Sequence, residues 1–286
     1  MAIRLNFRKK RILVTGATGF VGEQIVRILS EAKAEIIPVV RVGKESLMAD
    51  IPGVTDIVST ADLFSETIDW WLPHLKDIDT VIHAAWYVKH ADYLQSPKNL
   101  DCLIGTLNLA RGVVQASVRR FVGIGTCFEY DLSPGLLSVN TPLKPSTPYA
   151  AAKASAFTML SQWFALGSVE FAWCRLFYLY GEDQDQNRLV PYIRNRLAAG
   201  MTVDLTEGRQ FRDYLDVIDA ASTIVTLASE DEIGAINVCS GKRQTVRELA
   251  EQIADEFQGR DLLRFGARSD SLVDPPCVVG IRPEDE

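Results

Sequence analysis

The fold is decided by Arg11-Ile-Leu-Val-Thr15-Gly16-Ala-Thr18-Gly19-Phe20-Val21-Gly22. An apolar run of strand length meets three glycines spaced GxxGxxG. Val21, Ile25 and Leu29 then recur at one-turn spacing, so a strand turns tightly into a helix. Without side chains the loop lets backbone approach a pyrophosphate. The helix start offers unpaired N–H groups and a partial positive charge. A tight turn with no ligand is the competing reading, but this context favours a dinucleotide. Gly16, Thr18, Gly19, Phe20, Val21 and Gly22 are the candidate contacts.

Outward from the loop, apolar runs alternate with helical patterns up to residue 177. Further strands are read at Glu35–Arg41, 56–59, 80–85, Arg120–Thr126 and 169–177, with Pro38 a blemish in the second. Helices are read after Pro97, with an apolar face from Leu100 to Val114, and over 146–166. This rhythm predicts an α/β fold, a Rossmann-type doubly wound parallel sheet. Beyond 177 it changes. Helices are expected at 189–199 and Val217–Ser229, strands at 202–205 and Gly234–Val238. A capping box, Thr245 with Glu248, precedes a last helix. The expected division is a dinucleotide domain over 1–177 and a smaller substrate lobe over 178–286, with 213–230 packing back on the first.

Arg41 ends the second strand, nineteen residues past Gly22. An acidic residue there would accept bonds from ribose hydroxyls and favour NAD. A guanidinium pairs instead with a 2′-phosphate and favours NADP, with Lys44 a second charge. NAD is the alternative. Asp62 and Leu63 follow the third strand and are expected to border the adenine.

Tyr149-Ala-Ala-Ala-Lys153 places a phenol and an ammonium on one helix face. At about 5 Å and an effective dielectric near 20, one ammonium contributes roughly 3 kcal/mol and lowers the phenol's pKa by about two. That suits general acid–base catalysis. Alone, the pair is an aromatic packed beside a surface lysine.

Together, TGATGFVG, His83-Ala84-Ala85-Trp86, a strand ending in Thr126 and YAAAK resemble the extended short-chain dehydrogenase/reductase superfamily, in its nucleotide-sugar epimerase/dehydratase/reductase branch. Arg175-Leu-Phe-Tyr178-Leu-Tyr-Gly181, Arg212-Asp213-Tyr214-Leu215 and Ile236-Asn-Val-Cys-Ser-Gly241 are similar to three further family segments. The resemblance implies Thr126, Tyr149 and Lys153 as catalytic residues. Lys153 would also hold the nicotinamide ribose, Ala84 and Ala85 would line the cofactor, and Arg212 would pair with a substrate diphosphate. It also implies a homodimer through the helices at 100–114 and 146–166.

The departures shape the reaction expected. Cys127 and Phe128 stand where the dehydratases carry an Asp-Glu pair, so 4,6-dehydration is not expected. Cys102 stands for an Asn, and Tyr178 for a substrate-contacting Asn. Trp86 and Tyr87 follow the fourth strand where the sugar should lie. Trp86, Cys127, Tyr178 and Arg212 are the candidate substrate residues, in a pocket rich in aromatic surface. The expectation is an NADPH-dependent 4-ketoreductase of a nucleotide-linked 4-keto-6-deoxysugar. The alternatives are a 4-epimerase retaining NAD and a non-catalytic NADP-binding redox sensor. The chain ends early for this branch, which leaves open a trimmed lobe or a truncated C-terminus.

The 286 residues carry a formal charge of −7 without long single-sign runs, which argues against a nucleic-acid partner. Arg8, Lys9, Lys10 and Arg11 are read as a solvated lead-in. No run of 18 apolar residues and no apolar leader is present, so no membrane span and a cytoplasmic location are expected. Five scattered cysteines without a CxxC pair read as free thiols, with no metal site.

Overall fold

A computed structural model describes Phe7, residues 10–269, residues 274–282 and Asp285. Arg8 and Lys9, and part of the C-terminal tail, lie outside the described residues. In chain order the elements begin β1 (Arg11–Thr15), α1 (Phe20–Glu31), β2 (Glu35–Arg41), α2 (Ser46–Ala49), β3 (Val58–Thr60), α3 (Ile68–Leu75), β4 (Thr80–His83), α4 (Lys98–Gln115) and β5 (Arg120–Thr126). Then come β6 (Leu136–Leu137), α5 (Pro148–Leu166), β7 (Glu170–Leu176), β8 (Tyr178–Tyr180), α6 (Leu189–Ala198), β9 (Val203–Asp204), β10 (Phe211–Arg212) and β11 (Tyr214–Asp216). The chain closes with α7 (Val217–Ser229), β12 (Gly234–Val238), β13 (Gln244–Thr245), α8 (Val246–Glu256), β14 (Leu263–Arg264) and β15 (Cys277–Gly280).

Seven parallel strands form the central sheet in the order β12-β7-β5-β4-β1-β2-β3. It is a Rossmann-type sheet, buried on both faces, and every residue of β5 is buried. One core layer joins Ile25, Val26 and Leu29 of α1 to Ile224, Val225 and Ala228 of α7. The other joins Trp71 of α3, Leu109 and Val113 of α4, and Leu160 and Phe164 of α5. Because β1 lies between β2 and β4, the chain winds away from it in both directions. A crevice therefore opens beyond the carboxyl ends of these strands.

Pro38 is accommodated by its place in β2. The Ile36 N–H, two residues earlier, donates to the Gly53 carbonyl, so the Pro38 nitrogen faces the same side. There it falls between the isolated bridge Ile36–Val54 and the start of β3 at Val58, where no ladder bond is lost.

The placement of Gly234–Val238 differs from the sequence reading, which put it with the C-terminal lobe. It is β12, the edge strand of the central sheet, paired with β7 from Gly234↔Ala172 to Val238↔Leu176. α7 packs against α1. The rest of the C-terminal part has its own core, with Val190, Ile193 and Leu197 of α6 against Leu249 and Ile253 of α8. A four-stranded sheet, β13-β10-β15-β6, carries Arg212. Among the described residues no helix is long and apolar enough to cross a membrane.

Candidate active site

The glycine loop is fixed by backbone crowding. Gly16 has φ +68°, and a Cβ on it would lie 2.7 Å from the Ala85 nitrogen. A Cβ on Gly22 would lie 2.0 Å from the Gly16 carbonyl oxygen. Gly19 caps α1 without a side chain, and the Gly19 N–H donates to the Gly16 carbonyl at 2.9 Å. The first-turn N–H groups of Phe20, Val21 and Gly22 therefore face the crevice with no capping side chain across them. That opening fits a phosphate. Thr18 stands beside it, half-buried.

Ala84 and Ala85 press against Gly16, and their N–H groups bond the Thr15 carbonyl and hydroxyl oxygens. Beneath them, His83 bridges Thr15 and Thr106 at 2.8 and 2.9 Å. The Thr106 hydroxyl donates to the Cys102 carbonyl, so Nε2 carries the proton and Nδ1 accepts from Thr15. Burial pushes the His83 pKa down to about 3, so this ring stays neutral.

Arg41 is exposed at the end of β2 and makes no ion pair among the described residues; Lys44 is exposed beside it. Asp62 accepts from the Phe64 N–H as the cap of a short turn that includes Leu63. That turn packs on α4 so tightly that a Cβ on Gly105 would lie 2.4 Å from Phe64 Cα.

Thr147 caps α5 by accepting from the Ala150 N–H, and Pro148 opens the helix, so Tyr149 and Lys153 fall in its first turns. The Tyr149 phenol lies beside the Thr126 hydroxyl. Burial, and Tyr93 nearby, push the Tyr149 pKa well above its ordinary value. This corrects the expectation that Lys153 lowers it. Lys153 is 2% exposed, and its Nζ donates to the Ile124 carbonyl at 2.5 Å. The ammonium lies 3.7 Å from the centroid of the Trp86 ring. Burial also brings the Lys153 pKa down to about 7, so the charge expected to act on the phenol is itself weakened.

Thr126 is held from below by groups the sequence reading missed. Glu129 is fully buried and forms a capping box with Thr126, whose N–H it accepts at 2.8 Å. Its carboxylate also accepts from Trp173 Nε1 and from Arg175 Nε at 2.8 Å. Arg175 continues to the Tyr130 hydroxyl, which donates to Asn237 Oδ1 on β12. Asn237 in turn donates to the Leu137 and Ile281 carbonyls. The only hint in the sequence was Arg175 in its motif; a Glu between Phe128 and Tyr130 reads as a surface charge.

Cys127 is buried beside Thr126, with its thiol pushed up by desolvation. Phe128 meets Tyr178 edge-on at 6.1 Å, and Tyr178 meets Tyr214 at 5.9 Å. The Arg212 guanidinium lies 5.3 Å from the Tyr178 ring centroid. Arg212 is nearly buried and already engaged: Nη1 donates to the Phe211 carbonyl, and Nη2 to Asp274 Oδ1 at 2.5 Å. Asp213 accepts from the N–H groups of Ser240, Gly241 and Gly280 and from the Ser240 hydroxyl, tying β10 to the segments beside it. Cys127, Tyr178 and Arg212 thus form one wall, while Trp86 stands at the other end with Lys153. Among the described residues no group of His, Cys, Asp or Glu could hold a metal ion.

The model of the family described as "NAD dependent epimerase/dehydratase family" matches residues 12–239. The dTDP-6-deoxy-L-talose 4-dehydrogenase (NAD(+)) of Aggregatibacter actinomycetemcomitans is 24% identical over 252 residues, covering 86% of this chain and 90% of the relative. The GDP-6-deoxy-D-mannose reductase of Pseudomonas aeruginosa is 29% identical over 264 residues, covering 87% and 81%. Among solved structures, the UDP-N-acetylglucosamine 4-epimerase of Methanobrevibacter ruminantium M1 superposes with a TM-score of 0.85 at 22% identity, covering 96% and 90%. The glycine loop, the Thr126–Tyr149 contact and this match over most of the chain have one conclusion: the protein belongs to the NAD dependent epimerase/dehydratase family, within the extended short-chain dehydrogenases/reductases.

Proposed function

We propose that this chain is an NADPH-dependent 4-ketoreductase acting on a nucleotide-linked 4-keto-6-deoxysugar. One observation carries the reading. The Tyr149 phenol is held protonated by burial and set beside the Thr126 hydroxyl, next to a buried thiol and a phenyl ring where a dehydratase would need two carboxyl groups. A ketone reduced at C4 develops alkoxide charge on its oxygen, and the two hydroxyls stabilise that charge as it forms. A phenol that is protonated at neutral pH carries the proton that the C4 alkoxide must receive. The named activities of the talose 4-dehydrogenase and the 6-deoxy-D-mannose reductase support the same substrate class.

NADPH, when bound, supplies the hydride. Phe20, Val21 and Gly22 would receive its pyrophosphate, Arg41 its 2′-phosphate, Asp62 and Leu63 the adenine, and Ala84, Ala85 and Lys153 the nicotinamide half. The smaller lobe, from 178 onward apart from α7 and β12, would take the nucleotide sugar through Tyr178 and Arg212. The chain pairs with a second copy through α4 and α5, where Leu100, Ile104 and Met159 stand exposed; a monomer by light scattering at micromolar concentration overturns this.

The test is stoichiometry. Protein, NADPH and a 4-keto-6-deoxysugar nucleotide should consume one NADPH per sugar reduced. Interconversion of saturated C4 epimers with no net cofactor turnover would replace the reading with an epimerase.

A further inference from the structure

Lys153 is a buried ammonium with no carboxylate in salt-bridge contact among the described residues, though the charge of Glu129 nearby favours it. Among the described residues its Nζ has one oxygen partner in contact, the Ile124 carbonyl. The charged and titratable groups around it are Glu129, committed to Thr126, Trp173 and Arg175, and Cys102, His83 and Tyr149, all uncharged at neutral pH. What covers the ammonium is the face of Trp86, 3.7 Å from Nζ to the ring centroid. A second indole, Trp173, lies 5.7 Å away.

Trp86 is not free to turn. Its Nε1 donates to Asn99 Oδ1 at 2.9 Å. Asn99 is 1% exposed and spends its amide N–H groups on the Tyr93 and Ser96 carbonyls at 2.6 and 2.9 Å, so its oxygen has to face the indole. Phe64 and Tyr149 close the ring edge-on at 6.3 and 6.5 Å. The loop after β4, the start of α4 and the catalytic lysine of α5 are joined through this one side chain.

We infer that Trp86 is a positioning residue for Lys153: its ring, locked by Asn99, supplies the negative face that keeps a buried ammonium charged and aimed at the Ile124 side of the crevice. A cation held over an indole in a desolvated site gains more than at a surface, because no water competes for it. A leucine at 86 would leave a smaller apolar neighbour with no such face.

The inference rests on Lys153 as the active lysine, and its test needs neither cofactor nor turnover. Competitive acylation of the cofactor-free protein, read at the Lys153 peptide by mass spectrometry, gives that amine's titration. The wild type should titrate near pH 7. Trp86→Leu should lower the proton affinity of Lys153 by roughly tenfold, with an unchanged far-UV spectrum. Trp86→Phe, which keeps an aromatic face, should move it less. Asn99→Ala, which unlocks the ring without removing it, should move it in the same direction. An unchanged midpoint in Trp86→Leu, or one shifted upward as water reaches the amine, overturns the inference. Either result leaves the ketoreductase assay to be judged separately.

Discussion

The glycine loop and the Arg212 corner are both assigned to phosphate, and they are built in opposite ways. The loop works by leaving space: three glycines, a helix start with no capping side chain, and neighbours so close that a Cβ on Gly22 would sit 2.0 Å from a carbonyl oxygen. The Arg212 corner works by a charged side chain, and that charge is held by Asp274. A site made of backbone is pre-formed and cannot be changed piecemeal. A site made of a salt bridge must exchange partners when its ligand arrives, so its affinity is adjustable.

The largest effect should come from breaking the loop. Gly22→Ala has no room for its methyl, and NADPH binding should weaken by at least about a hundredfold in a titration of cofactor fluorescence. Near-normal binding would show that the loop does not meet the cofactor closely. Tyr149→Phe should lose about a hundredfold in rate with NADPH affinity nearly unchanged, which separates the chemistry from the binding at either end; a loss in affinity alone would make Tyr149 a binding residue. Arg41→Ala should weaken NADPH by roughly ten- to a hundredfold and leave NADH nearly unchanged, since only one of the two carries a 2′-phosphate. Equal weakening of both would remove the NADP assignment. The smallest effect belongs to the corner. Asp274→Asn frees Arg212, and because Asp274 is 41% exposed the pair is worth little, so the KM for the nucleotide sugar should fall by only about two- to fivefold. A rise instead would mean that Asp274 itself holds the substrate.

The same contrast sets what the sequence reveals. Glycine spacing after an apolar strand states a backbone requirement directly, so the loop could be read from residues 11–22 alone. β1, β2 and β5 announced themselves because strands buried on both faces are apolar throughout. α3 was missed: its eight residues carry Trp70, Trp71 and Pro73, too few and too aromatic to show a helical period. β12 was seen as a strand but not as the edge of the central sheet, because five residues of Gly-Ala-Ile-Asn-Val say nothing about which neighbour they pair with. The small sheet of β13, β10, β15 and β6 consists of strands two to four residues long, below any readable period.

In the site, Tyr149 and Lys153 were legible from their spacing, but their electrostatics were not. The spacing suggested a charge acting on a phenol. Burial decides otherwise, raising Tyr149, lowering Lys153 and turning the ammonium toward Trp86. Glu129 and Asn99 escaped notice for a related reason. A lone polar residue in a sequence defaults to the surface, and only the fold shows that Arg175 and Trp86 complete them.

The central claim is that this site delivers hydride to C4 while Tyr149 donates the proton to the oxygen. The most direct measurement uses NADPH deuterated at the transferring position, a 4-keto-6-deoxysugar nucleotide and the wild-type protein, with the product read by proton and deuterium NMR. The account predicts one deuterium at C4 of every product molecule and stoichiometric NADP formation. Deuterium absent from C4, or product formed while the NADPH remains unspent, would contradict it.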